Sequence, residues 1–392
     1  MKNVKIFASI IDEITQSQIQ ELSSSEAYKD CQIRVMPDCH AGTGCTIGSV
    51  IRFNNRVIPN TVGVDIGCGM FVIELGHQDI NLQLIDEIIH KYVPSGFNIH
   101  ETPLISMNLI NYLINYLHTP IKDEQYILNS IGTLGGGNHF IEIDVDDENN
   151  KYLVIHSGSR NLGVQVCKYW QEVGIKNLNE EHKKDNSEII AKLKAEGRQK
   201  EIQNVLQEIK RNTSVIPKDL AYIEGKDLDL YLQDMQKCQN YAYKNRSTIA
   251  EIIVEKAKLN FSGYFHTVHN YIDIENKIIR KGAISTNKGE KVIIPMNMRD
   301  GSLICIGKGN EDWLCSAPHG AGRIMSRNQA SEQITMEDFK NSMDGIYTTS
   351  VNENTIDEAP MAYKSAEIIQ EDIKDTVEIV KVIKPIYNFK AN

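Results

Sequence analysis

Residues 62–70 read VGVDIGCGM, and their types suit metal chemistry. Asp65 and Cys68 stand close together, and Gly67 and Gly69 let the backbone take conformations that other residues resist. A carboxylate and a thiolate aimed at one point suit a divalent cation of intermediate softness, Zn or Mn rather than Ca. Two ligands do not complete a coordination shell. His139, His156, His269 and His319 each adjoin Gly, Asn or Ser rather than lying in an apolar run, which makes them candidates for the rest. A single histidine at a strand end is more often a hydrogen-bonded structural residue than a ligand. Several of them, with Asp65 and Cys68, favour two Mn or Zn ions bridged by the Cys68 thiolate, a device that recurs in phosphoryl chemistry.

Two short stretches offer groups for phosphate. HSGSR (156–160) combines turn amides, hydroxyls and a guanidinium, and HGAGR (319–323) places Arg323 near His319. Neither is specific alone. GTGCTIG (42–48) is a weak dinucleotide signal without a βαβ unit and a ribose-binding acid, and no GxxxxGK[ST] occurs. His319 has no apolar strand ahead of it. Its glycine turn suits an accessible nucleophile as well as a ligand, and a neutral imidazole can attack an α-phosphate to give a phosphoramidate.

These residues need elements to position them. Residues 2–11 read as a strand, and Thr15 opens a helix over 16–29. Residues 31–75 alternate strands with glycine-dense loops that allow close approach. Helical spacing of apolar positions recurs over 81–93 and 105–118. Residues 130–145 are a glycine loop running into a strand, and 151–170 repeat strand, small-residue turn and helix. Residues 171–214 are charged and nearly glycine-free, and are expected to form a helical insertion in a domain spanning 1–392. A long helix follows over 227–262, short strands to about 325, a last helix over 359–380, and a closing VIKPIYNFK. Irregular interleaving of strands and helices predicts an α+β fold with mixed sheets flanked by helices.

Composition bounds the rest. With 41% apolar and 24% charged residues the chain is an ordinary globular one, and a net charge of −10 argues against a body coated for nucleic acid. Residues 280–327 are the exception, with Arg280, Lys281, Lys288, Lys291, Arg299, Lys308, Arg323 and Arg327 outnumbering the acids, and suggest a local basic face. The 8 cysteines include no C-x-x-C pair, which suggests reduced thiols and a cytoplasmic location. The opening MKNVKIFASI runs at once into Asp12 and Glu13, unlike a signal peptide, and no run is long enough to span a membrane.

The ordered set DCHAGTGCTIG, VGVDIGCG, LGGGNHFIE, HSGSRNLG, VHN, RKGA, HGAGRIMSR and DEAPMAYK resembles the RtcB family of RNA ligases over roughly 31–390. The resemblance implies a GTP- and Mn-dependent enzyme that joins an RNA 3′-phosphate, or 2′,3′-cyclic phosphate, to a 5′-hydroxyl in tRNA splicing or RNA repair. It implies Asp65, Cys68, His139, His156 and His269 as ligands of two Mn ions, and His319 as the residue that becomes guanylylated. Asn138, His139, Phe140, Ile141, Glu142, His269, Asn270, Pro295, Met296, Asn297, Met298, Ser302, His319, Gly320, Ala321, Gly322, Tyr363 and Lys390 are implied nucleotide contacts. Arg160 and Arg323 are implied holders of phosphates. PMNMRDG (295–301) stands where the family usually has a PGSMG-type loop, and Thr46 and Asn161 also depart from its pattern, which marks a divergent branch. The expected partners are RNA and GTP, with an activating protein left open and a monomer expected. The alternatives are a two-metal phosphoesterase, or an RNA-binding protein whose metal site is structural.

Overall fold

The structure is a computed structural model that describes residues 3–106, 114, 116–205 and 216–391. Its strands are, in chain order, β1 (Val4–Ile6), β2 (Gln32–His40), β3 (Ile47–Arg52), β4 (Arg56–Val57), β5 (Gly69–Gly76), β6 (Phe140–Val145), β7 (Lys151–Ser157), β8 (Ile223–Glu224) and β9 (Gly263–Val268). There follow β10 (Asn270–Asp273), β11 (Ile278–Lys281), β12 (Ala283–Ser285), β13 (Lys291–Asn297), β14 (Gly301–Gly307), β15 (Ser316–Pro318), β16 (Tyr347–Thr348) and β17 (Val377–Lys390).

The large sheet runs β13-β14-β17-β6-β7-β5-β9 and is antiparallel along that path, with β16 added parallel to β17. Strand alternation buries both faces. Phe71, Ile73 and Leu75 of β5 join Ile141, Ile143, Leu153 and Ile155 in one core, while Met70 and Val72 join Phe140, Val154, Ile293 and Ile304 in another. The second sheet runs β1-β2-β3-β11-β10, with β1 and β2 parallel. His269 is the single residue between β9 of the large sheet and β10 of the small one.

Three helices frame the sheets. Helix α1 spans Glu13–Ser24 and is capped by Asp12, whose carboxylate accepts from the Thr15 amide at 2.9 Å, so it starts and ends earlier than the expected 16–29. Helix α2 spans Arg160–Ala195, and its first turns bury Leu162, Val166 and Trp170. Helix α3, Gly225–Ala257, sends Ile249 and Ile253 into the core against β5 and β7. Fold class is α+β, as expected.

Three further expectations change, and one lies largely outside the described residues. The first strand is confined to Val4–Ile6. The helix expected over 105–118 lies mostly outside the described residues. The helix expected over 359–380 is a short one, Ala366–Asp372, capped by Ser365, and the chain then enters β17. Residues 377–383 pair with β14 and 384–390 with β6, so the sheet decides the conformation. The segment 280–327 presents no continuous basic face: Arg280 and Lys281 are buried, Lys291 pairs with Glu74, Arg299 with Asp300, and Arg323 and Arg327 with Glu358. All 8 cysteines are unpaired. No helix among the described residues is long and apolar enough to cross a membrane.

Candidate active site

The register of the large sheet gathers the candidate ligands at one edge. Cys68 immediately precedes β5, and His139 immediately precedes β6. His156 pairs with Phe140 and Met70 near the end of β7, and His269 follows the last residue of β9. Gly69 must be glycine here, because a Cβ would stand 2.2 Å from the Thr267 carbonyl.

The side chains meet. Cys68 Sγ lies 3.5 Å from His139 Nε2 and 3.3 Å from His156 Nε2, and these three ligand atoms fall within 4.8 Å of one another. Asp65 Oδ2 is 3.0 Å from His139 Nε2, and His269 Nε2 is 3.4 Å from His156 Nε2. His139 Nδ1 donates to the Leu134 carbonyl at 2.8 Å and His156 Nδ1 to the Asn138 carbonyl at 3.1 Å. Those bonds orient both rings so that their Nε2 atoms face thiol, carboxylate and imidazole. Ligand atoms crowded in this way suit a cation at their centre.

The electrostatics agree with that fit. Burial, and then neighbouring ring charge, push the His156 and His269 pKa values well down, so both rings are neutral. Burial works against ionising Asp65, but its bonds to His139 and Cys68 hold it down to about 2. Burial and the Asp65 charge push the Cys68 thiol well up, a cost that a bound cation would reverse. His269 Nδ1 is buried without a hydrogen-bond partner among the described residues.

Two α3 residues hold the frame. Arg246, wholly buried, donates from Nη1 to the Gly67 and Ser157 carbonyls, both at 2.7 Å, and so ties the Cys68 loop to the end of β7. Asn245 accepts from the Gly132 and Thr133 amides and donates to Ser157 Oγ and the Gly158 carbonyl.

Beside the cluster lies a cavity of about 810 Å³, within the range of small-molecule and cofactor sites. His319 lines it, following β15, with its ring centroid 4.8 Å from that of His269. Its Nδ1 donates to Asp38 Oδ2 at 2.6 Å and its backbone amide to the same oxygen at 3.1 Å, which leaves Nε2 for chemistry. On another part of the wall, Glu358 receives Lys390 at 2.6 Å, Arg327 at 2.8 Å, Arg323 at 3.3 Å and the Tyr363 hydroxyl at 2.6 Å. Burial works against ionising Glu358, but Lys390 and Arg327 hold it at about 2.

A family model described as "tRNA-splicing ligase RtcB" matches residues 18–391. The RNA-splicing ligase RtcB of Escherichia coli strain K12 is 31% identical over 397 residues, covering 92% of this chain and 90% of the relative. The tRNA-splicing ligases RtcB of Aeropyrum pernix and Methanococcus maripaludis are each 26% identical, covering 85% and 89% of this chain and 82% and 85% of their own. The chain belongs to the RtcB family.

Against the expected RtcB contacts, the cavity wall includes Asn138, Phe140, Glu142, Pro295, Met296, Asn297, Met298, His319, Gly320, Ala321, Gly322, Arg323, Tyr363 and Lys390. Ile141 turns instead into the opposite core, as alternation along β6 requires. Ser302 is buried without a partner for its hydroxyl among the described residues, and Asn270 holds the loop by donating to the Asp65 carbonyl and accepting from the Gly282 amide. Arg160 is not on the cavity wall; it donates to Thr133 Oγ1 and the Gly96 carbonyl. The divergent 295–301 hairpin is closed by Asn297, whose side-chain oxygen accepts from the Arg299 and Asp300 amides. Asp38, Glu358, Arg246 and Asn245 belong to the site although the sequence reading gave them no role. Asp38 and Glu358 lie inside family motifs, the one signal that could have raised them.

Proposed function

We propose that the chain is a GTP- and Mn-dependent RNA ligase that joins a 3′-phosphate, or 2′,3′-cyclic phosphate, to a 5′-hydroxyl in tRNA splicing or RNA repair. The observation that carries this reading is the convergence of Cys68, His139, His156 and His269 beside His319, whose Nδ1 is held by a buried Asp38 at 2.6 Å. Asp65, Cys68, His139, His156 and His269 would hold two Mn ions, which supply charge neutralisation for phosphoryl groups.

The chain's own residues then divide the work. Asp38 keeps the His319 Nδ1 proton in place, so Nε2 attacks the α-phosphorus of GTP; an N–P bond forms and the P–O bond to pyrophosphate breaks. The GMP passes to an RNA 3′-phosphate oxygen, which breaks the N–P bond. The 5′-hydroxyl attacks that activated end and GMP leaves. Glu142, Lys390, Tyr363 and the 320–322 backbone suit the nucleotide, and Arg323 and Arg160 suit phosphates.

Ligation of an RNA pair bearing 3′-phosphate and 5′-hydroxyl ends, with GTP and Mn, tests the reading. Product that depends on GTP supports it. Release of inorganic phosphate without joined product would instead make the protein a two-metal phosphoesterase. His319→Ala should abolish joining yet keep the Mn content, and joining by that variant would remove the role given to His319.

A further inference from the structure

Phe97 stands 93% exposed, more than any other large apolar side chain among the described residues. It does not hang on a slack loop. The Leu134 amide donates to the Pro94 carbonyl at 2.9 Å, the Gly96 amide to the Gly135 carbonyl at 2.8 Å, and the Tyr126 hydroxyl to the Phe97 carbonyl at 3.1 Å. The turn closes on itself, Asn98 amide to Ser95 carbonyl, at 3.1 Å. A ring displayed from a fixed backbone loses little freedom when something stacks on it.

Its place matters more than its exposure. The Gly96 carbonyl accepts from Arg160 Nη2 at 2.8 Å. Arg160 Nη1 lies over Gly135, where a Cβ would stand 1.9 Å from it and 2.9 Å from His139 Nδ1. Arg160 is thus bonded to the residue before Phe97, and its guanidinium and the His139 ring both flank Gly135. Arg160 Nη1 has no hydrogen-bond partner among the described residues. Along this rim Val64, Asn138 and Asn161 are exposed, and the Asp65 side chain keeps 31% of its surface in water. Asn138 joins this rim to the large cavity, which neither Phe97, Arg160 nor Asp65 lines, so the partly exposed Asp65 carboxylate opens the candidate-ligand cluster to solvent beside the cavity as well as through it.

We propose that this rim seats the end of the RNA strand that carries the 3′-phosphate, with the Phe97 ring stacking on the base of its terminal nucleotide and Arg160 taking the phosphate. The inference rests on the ligase reading above. While a nucleotide fills the cavity, the RNA phosphate must arrive from elsewhere, and the rim leads to the same cluster. Unpaired RNA ends are held by aromatic stacking and guanidinium contacts, and stacking tolerates any base because every base has a π-face.

The test uses the full chain with Mn and a 3′-phosphate RNA whose last nucleotide is 2-aminopurine. Stacking on Phe97 should quench its fluorescence; Phe97→Ala should lose the quench and raise KM for this strand by about tenfold, and Phe97→Trp should restore both. An abasic terminal nucleotide should cost the wild type the same factor and cost Phe97→Ala nothing further. Formation of the GMP adduct on His319 needs no RNA and should keep its rate in Phe97→Ala. An unchanged KM and quench in Phe97→Ala, or an equal loss with the abasic end in both proteins, would overturn the platform. Absence of any GMP adduct would overturn the ligase reading instead, while the quench still reports on Phe97.

Discussion

At the scale of single residues, the pairing that decides the chemistry is His319 with Asp38. Asp38 is fully buried and its Oδ2 takes two donors from His319, so the ring has one orientation and one tautomer. An amide in its place can present an N–H to Nδ1 and select the opposite tautomer. Asp38→Asn should therefore slow GMP transfer to His319 by about a hundredfold or more, with Mn content unchanged. A wild-type labelling rate in that variant would show that Asp38 only packs. Cys68 carries a different expectation. It approaches both His139 and His156, so Cys68→Ala should lower the Mn retained after purification, read by elemental analysis, and unchanged content would count against a shared thiolate. Asp65, Cys68 and the histidines were legible because their neighbours are glycines and small residues. Asp38 was not, since nothing in local spacing tells that a carboxylate will meet a histidine 281 positions on.

At the scale of elements, the site is an edge of one sheet. Antiparallel pairing puts the start of β5, the start of β6, the end of β7 and the end of β9 at the same edge, so four short motifs far apart in sequence bring their candidate ligands together. The glycines there are spacers. A Cβ on Gly158 would lie 1.9 Å from Asp65 Oδ1, so Gly158→Ala should displace that carboxylate and weaken Mn binding by about tenfold or more, measured by titration calorimetry. Tight Mn binding by this variant would remove Asp65 from the ligand set. The sequence spelled out β5, β6 and β7 as apolar runs beside glycine loops. It misled over 377–380, where local spacing suggested a helix but partners on β14 impose a strand. Those partners are non-local, and no window of sequence contains them.

At the scale of the whole molecule, β17 returns the chain's end to the cavity and sets Lys390 against Glu358, a residue from a separate short helical turn, Glu353–Glu358. Glu358 lies at about 2 in the folded protein, against an ordinary glutamate value near ~4.3 in the unfolded chain. A depressed acid stabilises the fold fully above the unfolded value, and that contribution is lost as pH falls from about 4.3 toward 2. Glu358→Gln should flatten this part of the acid-unfolding curve. At neutral pH it should cost about 3–5 kcal/mol, because Lys390 and Arg323 lose their buried counter-charge. Denaturant melts of the two proteins at pH 7 and pH 3 would check it: a gap of the same size at both values would mean that Glu358 acts by packing alone. The α+β class was legible from the irregular interleaving of elements, while the ion network around Glu358 was not, because its members come from three separate stretches, 323–327, 358–363 and Lys390. The central claim is that the metal-ligand cluster serves a histidine that carries a nucleotide. Incubation with Mn and GTP labelled at the α-phosphate, followed by peptide mapping, tests it most directly. Label on the peptide containing His319, lost in His319→Ala and absent with γ-labelled GTP, is the predicted result; label on another residue, or none with Mn bound, would contradict it.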